Sequence, residues 1–257
     1  MEPGAQFTKN QGPSTPTQAI RMRGVPYAEA IGCVLWPVMI TRLDCAFAIG
    51  ILSQFVQNPG NVHWEALKRL MVYLGSTKDL WLTFGGRGRT LIEGFCDSDY
   101  ANQQDRHSIA GYAYHFGQGA ISWNSKKQHI IALSTVEAEY VAQAHAAKEA
   151  MWLRTFVSEI RNEPAREITI NSDNQGAIVL SKDNKFHART KHIDVRYHFI
   201  REAVEEGKLS VVYVPTDDNP ADIFTKPLAK AKFQRFVELL GLRPTNVEDG
   251  RKKGDTS

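Results

Sequence analysis

The sequence predicts a mixed α/β domain, a five-stranded sheet flanked by helices, preceded by a small helical segment. Three observations carry that expectation. Short β-prone runs cluster between residues 91 and 123, with Gly117 and Gly119 between the last two, as antiparallel hairpins require. A long helical stretch opens at Thr135, and beyond it strand and helix alternate, which lays helices over the faces of a sheet. Before residue 90 the apolar spacing is helical: Trp64, Leu67, Leu70, Met71 and Leu74 recur at three- and four-residue steps, with Lys68 and Arg69 off that stripe.

Taken in order, residues 1–25 are rich in Gly, Pro, Gln, Ser and Thr and read as a disordered leader. Residues 26–90 form the helical segment, with Asn58-Pro59-Gly60 turning the chain into its last helix. That segment is too small for a generous core of its own and is expected to pack against something else. Residues 91–230 form the sheet domain: strands Leu91–Cys96, Ile109–Phe116 and Ala120–Trp123, a helix from Thr135 to near Ile160, and a strand Ile168–Ser172. A helix from near Gln175, another from near Ile193 to Glu206 and a strand Leu209–Val214 complete it. A helix over 231–242 follows, then a loose tail over 243–257.

Composition excludes several classes. At 257 residues, 42% apolar and 23% charged, the chain has material for one full core and a smaller satellite. Its longest uncharged apolar run, Ala30 to Thr41, is 12 residues and contains Pro37, well short of the ~20 that cross a bilayer. No membrane association is expected. The N-terminus lacks the basic-then-apolar pattern of a secretory signal, so the chain is expected inside the cell, in the cytoplasm or nucleus, with Cys33, Cys45 and Cys96 as buried thiols. The formal charge of +3 is too small to argue for nucleic acid by itself. Its distribution is uneven: residues 182–201 hold Lys182, Lys185, Arg189, Lys191, Arg196 and Arg201 against Asp183 and Asp194. That run suits a phosphate backbone or a solvated helix face, and charge alone leaves both open.

Hydrolysis of a phosphodiester with two divalent ions needs carboxylates converging on metals about 3.5–4 Å apart, and Mg2+ takes such oxygen ligands. Acids stand at four places where chain ends meet apolar elements. Asp97 and Asp99 follow the first strand and share a face by its period of two; Asp97 is nearer the strand body, although such a pair also suits a turn. Glu137 and Glu139 open the long helix. Ser134 with Glu137 forms a capping box, which gives Glu137 a structural task, and the ~200° between the two glutamates leaves Glu139 as the better ligand. Asp173 ends the strand Ile168–Ser172, where open α/β sheets bind ligands, although taken alone the position suits a helix cap better. Asp222 sits in a first turn opened by the cap Asn219 and by Pro220, a position the helix dipole favours without any catalysis.

The order of these acids resembles the ribonuclease H superfamily, and the wording is closer still. Gly-Phe-Cys-Asp-Ser-Asp-Tyr-Ala (94–101), Ser-Ile-Ala-Gly-Tyr (108–112), Ile-Ser-Trp-Asn-Ser-Lys-Lys-Gln (121–128), Ala-Leu-Ser-Thr-Val-Glu-Ala-Glu-Tyr (132–140), Arg-Thr-Lys-His-Ile-Asp-Val-Arg-Tyr-His-Phe-Ile-Arg (189–201) and Asn-Pro-Ala-Asp-Ile-Phe-Thr-Lys-Pro-Leu (219–228) resemble the ribonuclease H segment of copia-type retrotransposon Pol polyproteins. Upstream, Tyr27-Ala-Glu-Ala-Ile-Gly, Thr41-Arg-Leu-Asp44 and His63-Trp64 resemble the end of a reverse transcriptase and its connection.

The resemblance implies a ribonuclease H-like fold and metal-dependent cleavage of the RNA strand of RNA/DNA hybrids. It implies Asp97, Glu139, Asp173 and Asp222 as the catalytic, metal-binding set for two Mg2+ ions, with Mn2+ as a substitute. It also implies Gln175 as a minor-groove contact, and Arg189, Lys191 and Arg196 are the cations expected on the phosphates. A reverse transcriptase polymerase domain is the further partner implied. No Tyr-x-Asp-Asp of a polymerase palm, protease nucleophile motif or integrase zinc set occurs, so the chain reads as a polyprotein fragment. Two departures stand out. Thr216, Asp217 and Asp218 occupy the loop where many cellular ribonucleases H carry a mobile His, and Leu43 replaces the family's Pro. The alternative reading is a catalytically silent nucleic-acid-binding remnant; a DNA-cutting nuclease on the same fold is a third.

Overall fold

The computed structural model describes residues 1, 4–85, 91–101, 103, 105–182 and 199–244. Five strands form one sheet: β2 (Ile92–Asp99), β3 (Ile109–Phe116), β4 (Gly119–Lys127), β5 (Ile168–Ser172) and β6 (Leu209–Tyr213), in the order β4-β3-β2-β5-β6. The first three are antiparallel, and Gly117 turns between β3 and β4 at φ 71, a conformation that costs glycine little. β2, β5 and β6 run parallel, so helical crossovers must join them. These are α5 (Thr135–Arg161), which Asn162 ends in the left-handed conformation, α6 (Gln175–Lys182), and α7, described over 199–205.

Each face of the sheet has its own core. On one, Tyr140, Ala144, Ala147 and Ala150 of α5 meet Ile92, Cys96, Tyr114 and Ile170; the alanines let the helix lie close. On the other lie α2 (Tyr27–Ile40), α3 (Ala46–Ser53), α4 (Asn61–Ser76) and α8 (Lys230–Leu239), whose Val38, Leu52, Leu67 and Phe236 form one cluster with the sheet residues Ala113, Ala120 and Trp123. The helical segment therefore finds its packing partner in the sheet. Trp123 Nε1 donates to the Val38 carbonyl at 3.2 Å, and Ser125 Oγ to that of Phe224 at 2.6 Å. Leu43 is wholly buried between Arg42 and Asp44, which pair at 2.8 Å.

Several expectations need correction. The leader contains α1 (Pro16–Arg23), where Thr15 Oγ1 accepts from Gln18 N at 3.3 Å and Pro16 opens the helix. The cap and the preset φ of proline outweigh the polar composition there. Before residue 90, β1 (Leu80–Leu82) pairs antiparallel with β7 (Leu242–Pro244), so the chain after α8 continues as strand where a tail was expected; residues 245–257 lie outside the described set. Three-residue strands are too short to show a period. β4 extends through the polar Asn124–Lys127 because Tyr112 to Ile109 of β3 provide the ladder. Cys33 is exposed, whereas Cys45 and Cys96 are buried. Among the described residues no helix is long and apolar enough to cross a membrane.

Candidate active site

β2 runs to Asp99, so Asp97 lies within the ladder, opposite Gly111. It is 1% exposed, and its Oδ2 accepts a hydrogen bond from Thr225 Oγ1. Glu139 projects from the second turn of α5 and is 7% exposed. It accepts from the Ser98 backbone, while its Oε2 has no hydrogen-bond partner among the described residues. Asp173, half-buried, follows β5 directly. One carboxylate oxygen of each of these three lies within 4.8 Å of the others.

Local chemistry explains why these side chains are available. Glu137 is occupied as a cap: its N–H donates to Ser134 Oγ at 3.1 Å, and its Oε2 accepts from Leu133 N at 2.7 Å, one residue before the Ser134 amide expected of a capping box. The cap expected of Asp173 is made by its neighbour instead, since Asn174 Oδ1 accepts from Ala177 N at 2.9 Å. Asp173 is thereby left to face the other acids. Asp99 lies further along β2, half-buried opposite Ile109.

Three carboxylates in so dry a place repel one another. Burial pushes the Asp97 carboxyl up to about 7, with Asp222 and Asp173 adding to the shift and Lys226 and Thr225 opposing it. Burial, then Asp97 and Asp173, raises Glu139 well above the usual carboxylate range. Isolated buried charge is costly unless paired or bound to a cation. The oxygen-rich donor set and the unpartnered Glu139 Oε2 fit a hard divalent ion.

Asp222 stands differently. It lies in a 3-10 turn, Pro220–Phe224, rather than an α-helix; Asn219 Oδ1 accepts from Ala221 N at 3.2 Å, and Asn219 Nδ2 donates to the Cys96 carbonyl at 2.9 Å, tying the turn to β2. The carboxylate is fully buried. Lys226 Nζ is 2.8 Å from its Oδ1 and Lys232 Nζ 3.0 Å from its Oδ2, and Lys226 also lies 3.6 Å from Asp97 Oδ2. Asp222 thus approaches the other acids through a lysine. Sequence reading missed both lysines. The four-residue step from Asp222 to Lys226 was a signal; Lys232, in the next helix, left none.

The nucleic-acid residues are less fully placed. Gln175 is exposed at the start of α6, two residues from Asp173. Arg189, Lys191 and Arg196 lie outside the described residues. Arg201 does not belong to a solvated face: it is buried, and its Nε donates to the Leu180 carbonyl at 3.1 Å. Asp217 and Asp218 of the loop that lacks a His pair with Lys232 and Arg235.

No family model matches the chain. It is 43% identical over 238 residues, 92% of its length, to the retrovirus-related Pol polyprotein from transposon TNT 1-94 of Nicotiana tabacum. To that from transposon RE2 of Arabidopsis thaliana it is 40% identical over 218 residues, 84% of its length. The chain belongs to the copia-type transposon Pol polyproteins. It spans 18% and 15% of the length of these two relatives. This Pol segment has the ribonuclease H-like fold, a five-stranded mixed sheet flanked by helices. Among solved structures it resembles LC11-RNase H1, isolated from compost by a metagenomic approach, at 16% identity and a TM-score of 0.41, over 53% of this chain and 94% of that one.

Proposed function

We propose that the site is a ribonuclease H active site that hydrolyses the RNA strand of RNA/DNA hybrids endonucleolytically and depends on a divalent cation. The observation that carries this reading is the convergence of Asp97, Glu139 and Asp173, with Glu139 Oε2 unpartnered. These three carboxylates would hold Mg2+, or Mn2+ in its place. The cation supplies activation of the attacking water and stabilisation of the leaving oxygen. Gln175, exposed beside Asp173, suits hydrogen bonding to 2′-hydroxyls in the minor groove, by which hybrids are told from DNA. Arg189, Lys191 and Arg196 would neutralise phosphates and make binding salt-dependent. With Asp217 and Asp218 engaged by Lys232 and Arg235, water or another group would protonate the leaving oxygen.

A second reading, binding without cleavage until a polymerase domain is present, draws on one feature of α2. Trp36 and Met39, 70% and 71% exposed, lie beside the exposed Ile40, and such a strip suits a docked partner.

The test is incubation of the purified chain with labelled RNA/DNA hybrid, duplex DNA and duplex RNA, with Mg2+ or a chelator, alongside Asp173→Asn. The expected result is cutting of the hybrid alone, lost in chelator and in Asp173→Asn, while that variant still binds hybrid in low-metal buffer. The amide keeps the shape of the carboxylate without its charge. Binding without cutting by the parent selects the second reading, and an Asp173→Asn that cuts at the parental rate removes the site.

A further inference from the structure

Asp222, the fourth acid, is bracketed by two lysines. Asp222 has no exposed surface, and each oxygen meets a different ammonium, Lys226 at 2.8 Å and Lys232 at 3.0 Å. Buried ion pairs repay their desolvation only with good geometry and are often no better for stability than apolar packing. This one stands at the edge of the acid cluster. Lys226 Nζ is also 3.6 Å from Asp97 Oδ2, and Thr225, the residue before it, donates to that same oxygen. Lys232 is held in turn by Asp217 Oδ1 at 3.1 Å and the Thr216 carbonyl at 3.3 Å.

We propose that the Lys226 ammonium is a built-in cation of this site: it fills the position between Asp97 and Asp222 that a second divalent ion would need, so the free protein takes one ion on Asp97, Glu139 and Asp173. The inference rests on the reading that those three carboxylates hold a divalent cation. Formal charge supports it. When ionised, Asp97, Glu139, Asp173 and Asp222 carry four negative charges, and Lys226 and Lys232 return two. With Asp217, the other partner of Lys232, set aside as 91% exposed and screened by water, one divalent ion completes neutrality; two would leave a net positive site, which is unfavourable until a phosphate arrives. Lys226 keeps 31% of its side chain exposed, so its ammonium has a path to solvent if it is displaced. In this scheme Lys226 is a positioning residue, and Asp222 serves by holding it.

Mn2+ titrated into the metal-free full chain without nucleic acid, with bound ions counted by electron paramagnetic resonance and calorimetry, tests this. The parent should bind one ion tightly. Lys226→Met should bind a second about tenfold or more tighter than the parent does, the scale expected for removing a unit charge a few ångströms from the ion in a partly buried site. Lys226→Arg keeps the charge and should remain at one ion. Thermal melts establish that each variant folds. Two ions of similar affinity in the parent overturn the proposal whatever the variants do, as does an unchanged second affinity in a folded Lys226→Met. A parent whose Mn2+ binding is absent, or unaffected by Asp173→Asn, removes the metal reading itself and this inference with it.

Discussion

Asp97 lies directly across the β2–β3 ladder from Gly111, and the missing side chain of Gly111 is what admits the segment that covers Asp97. A Cβ at position 111 would come within 2.5 Å of Phe224 Cβ and 3.0 Å of Thr225 Cγ2. Thr225 is the residue whose hydroxyl donates to Asp97, and Lys226 follows it.

Gly111→Ala should therefore lift the 220–226 segment off the sheet. Overpacking of this kind costs about 1–3 kcal/mol, to be read as a lower denaturant midpoint, and Mn2+ affinity should fall with it. Thr225→Ala removes the hydrogen bond without the clash and should cost less stability. A Gly111→Ala protein with the parental midpoint would show that the close approach does not constrain the segment.

The two glutamates of α5 should separate cleanly. Glu137→Ala loses the bond to Leu133 N and should cost about 1 kcal/mol, as caps do, while ion binding persists. Glu139→Gln removes a buried charge that Asp97 and Asp173 repel, so the metal-free protein should melt higher and gain less from Mg2+. The opposite pattern in thermal melts with and without Mg2+ would exchange their roles.

Asp97 and Glu139 also set a pH dependence. Their folded values lie above the ordinary ones, about 7 for Asp97 and well raised for Glu139, so the folded state binds more protons than the unfolded chain in between. Their contribution to stability is present below pH ~4 and is lost as pH rises through the folded values. The metal-free protein should thus lose stability as pH rises above about 4, through about 7 for Asp97. The gain from Mg2+ should rise over the same interval, toward about 2.7 kcal/mol at a hundredfold excess over Kd. A gain from Mg2+ that stays flat from pH 5 to 8 would place the ion elsewhere.

The helical segment and the sheet should unfold together, because one core joins them. Asp44 accepts from Arg42 and, at 2.7 Å, from Tyr73 Oη, while Arg42 Nη2 donates to Thr77 Oγ1 at 2.7 Å. Asp44→Ala strands the buried guanidinium, a loss of about 3–5 kcal/mol. Circular dichroism and tryptophan fluorescence should report one coincident transition, shifted by the substitution. Two separated transitions would mean that the segment folds alone.

The elements legible along the chain are local in origin. Strand Ile168–Ser172 and the opening of α5 at Thr135 match their observed bounds, because alternation, caps and turn glycines act over a few residues. The same local logic distinguished Glu139 from Glu137, since a helix rotates them apart. Long-range packing set the rest. Asn124–Lys127 are strand because β3 lies beside them, and Leu80–Leu82 because residues 242–244 arrive from the far end of the chain. Asn174, and not Asp173, makes the cap; either residue had the chemistry, and the geometry of one turn chose. Asp222 was legible as an acid in a first turn, but its pairing was not. Lys232 reaches it from another helix and Lys226 reaches past it to Asp97; sequence spacing records how far apart charges are along the chain, whereas the field at a buried carboxylate depends on which of them folding brings within a few ångströms.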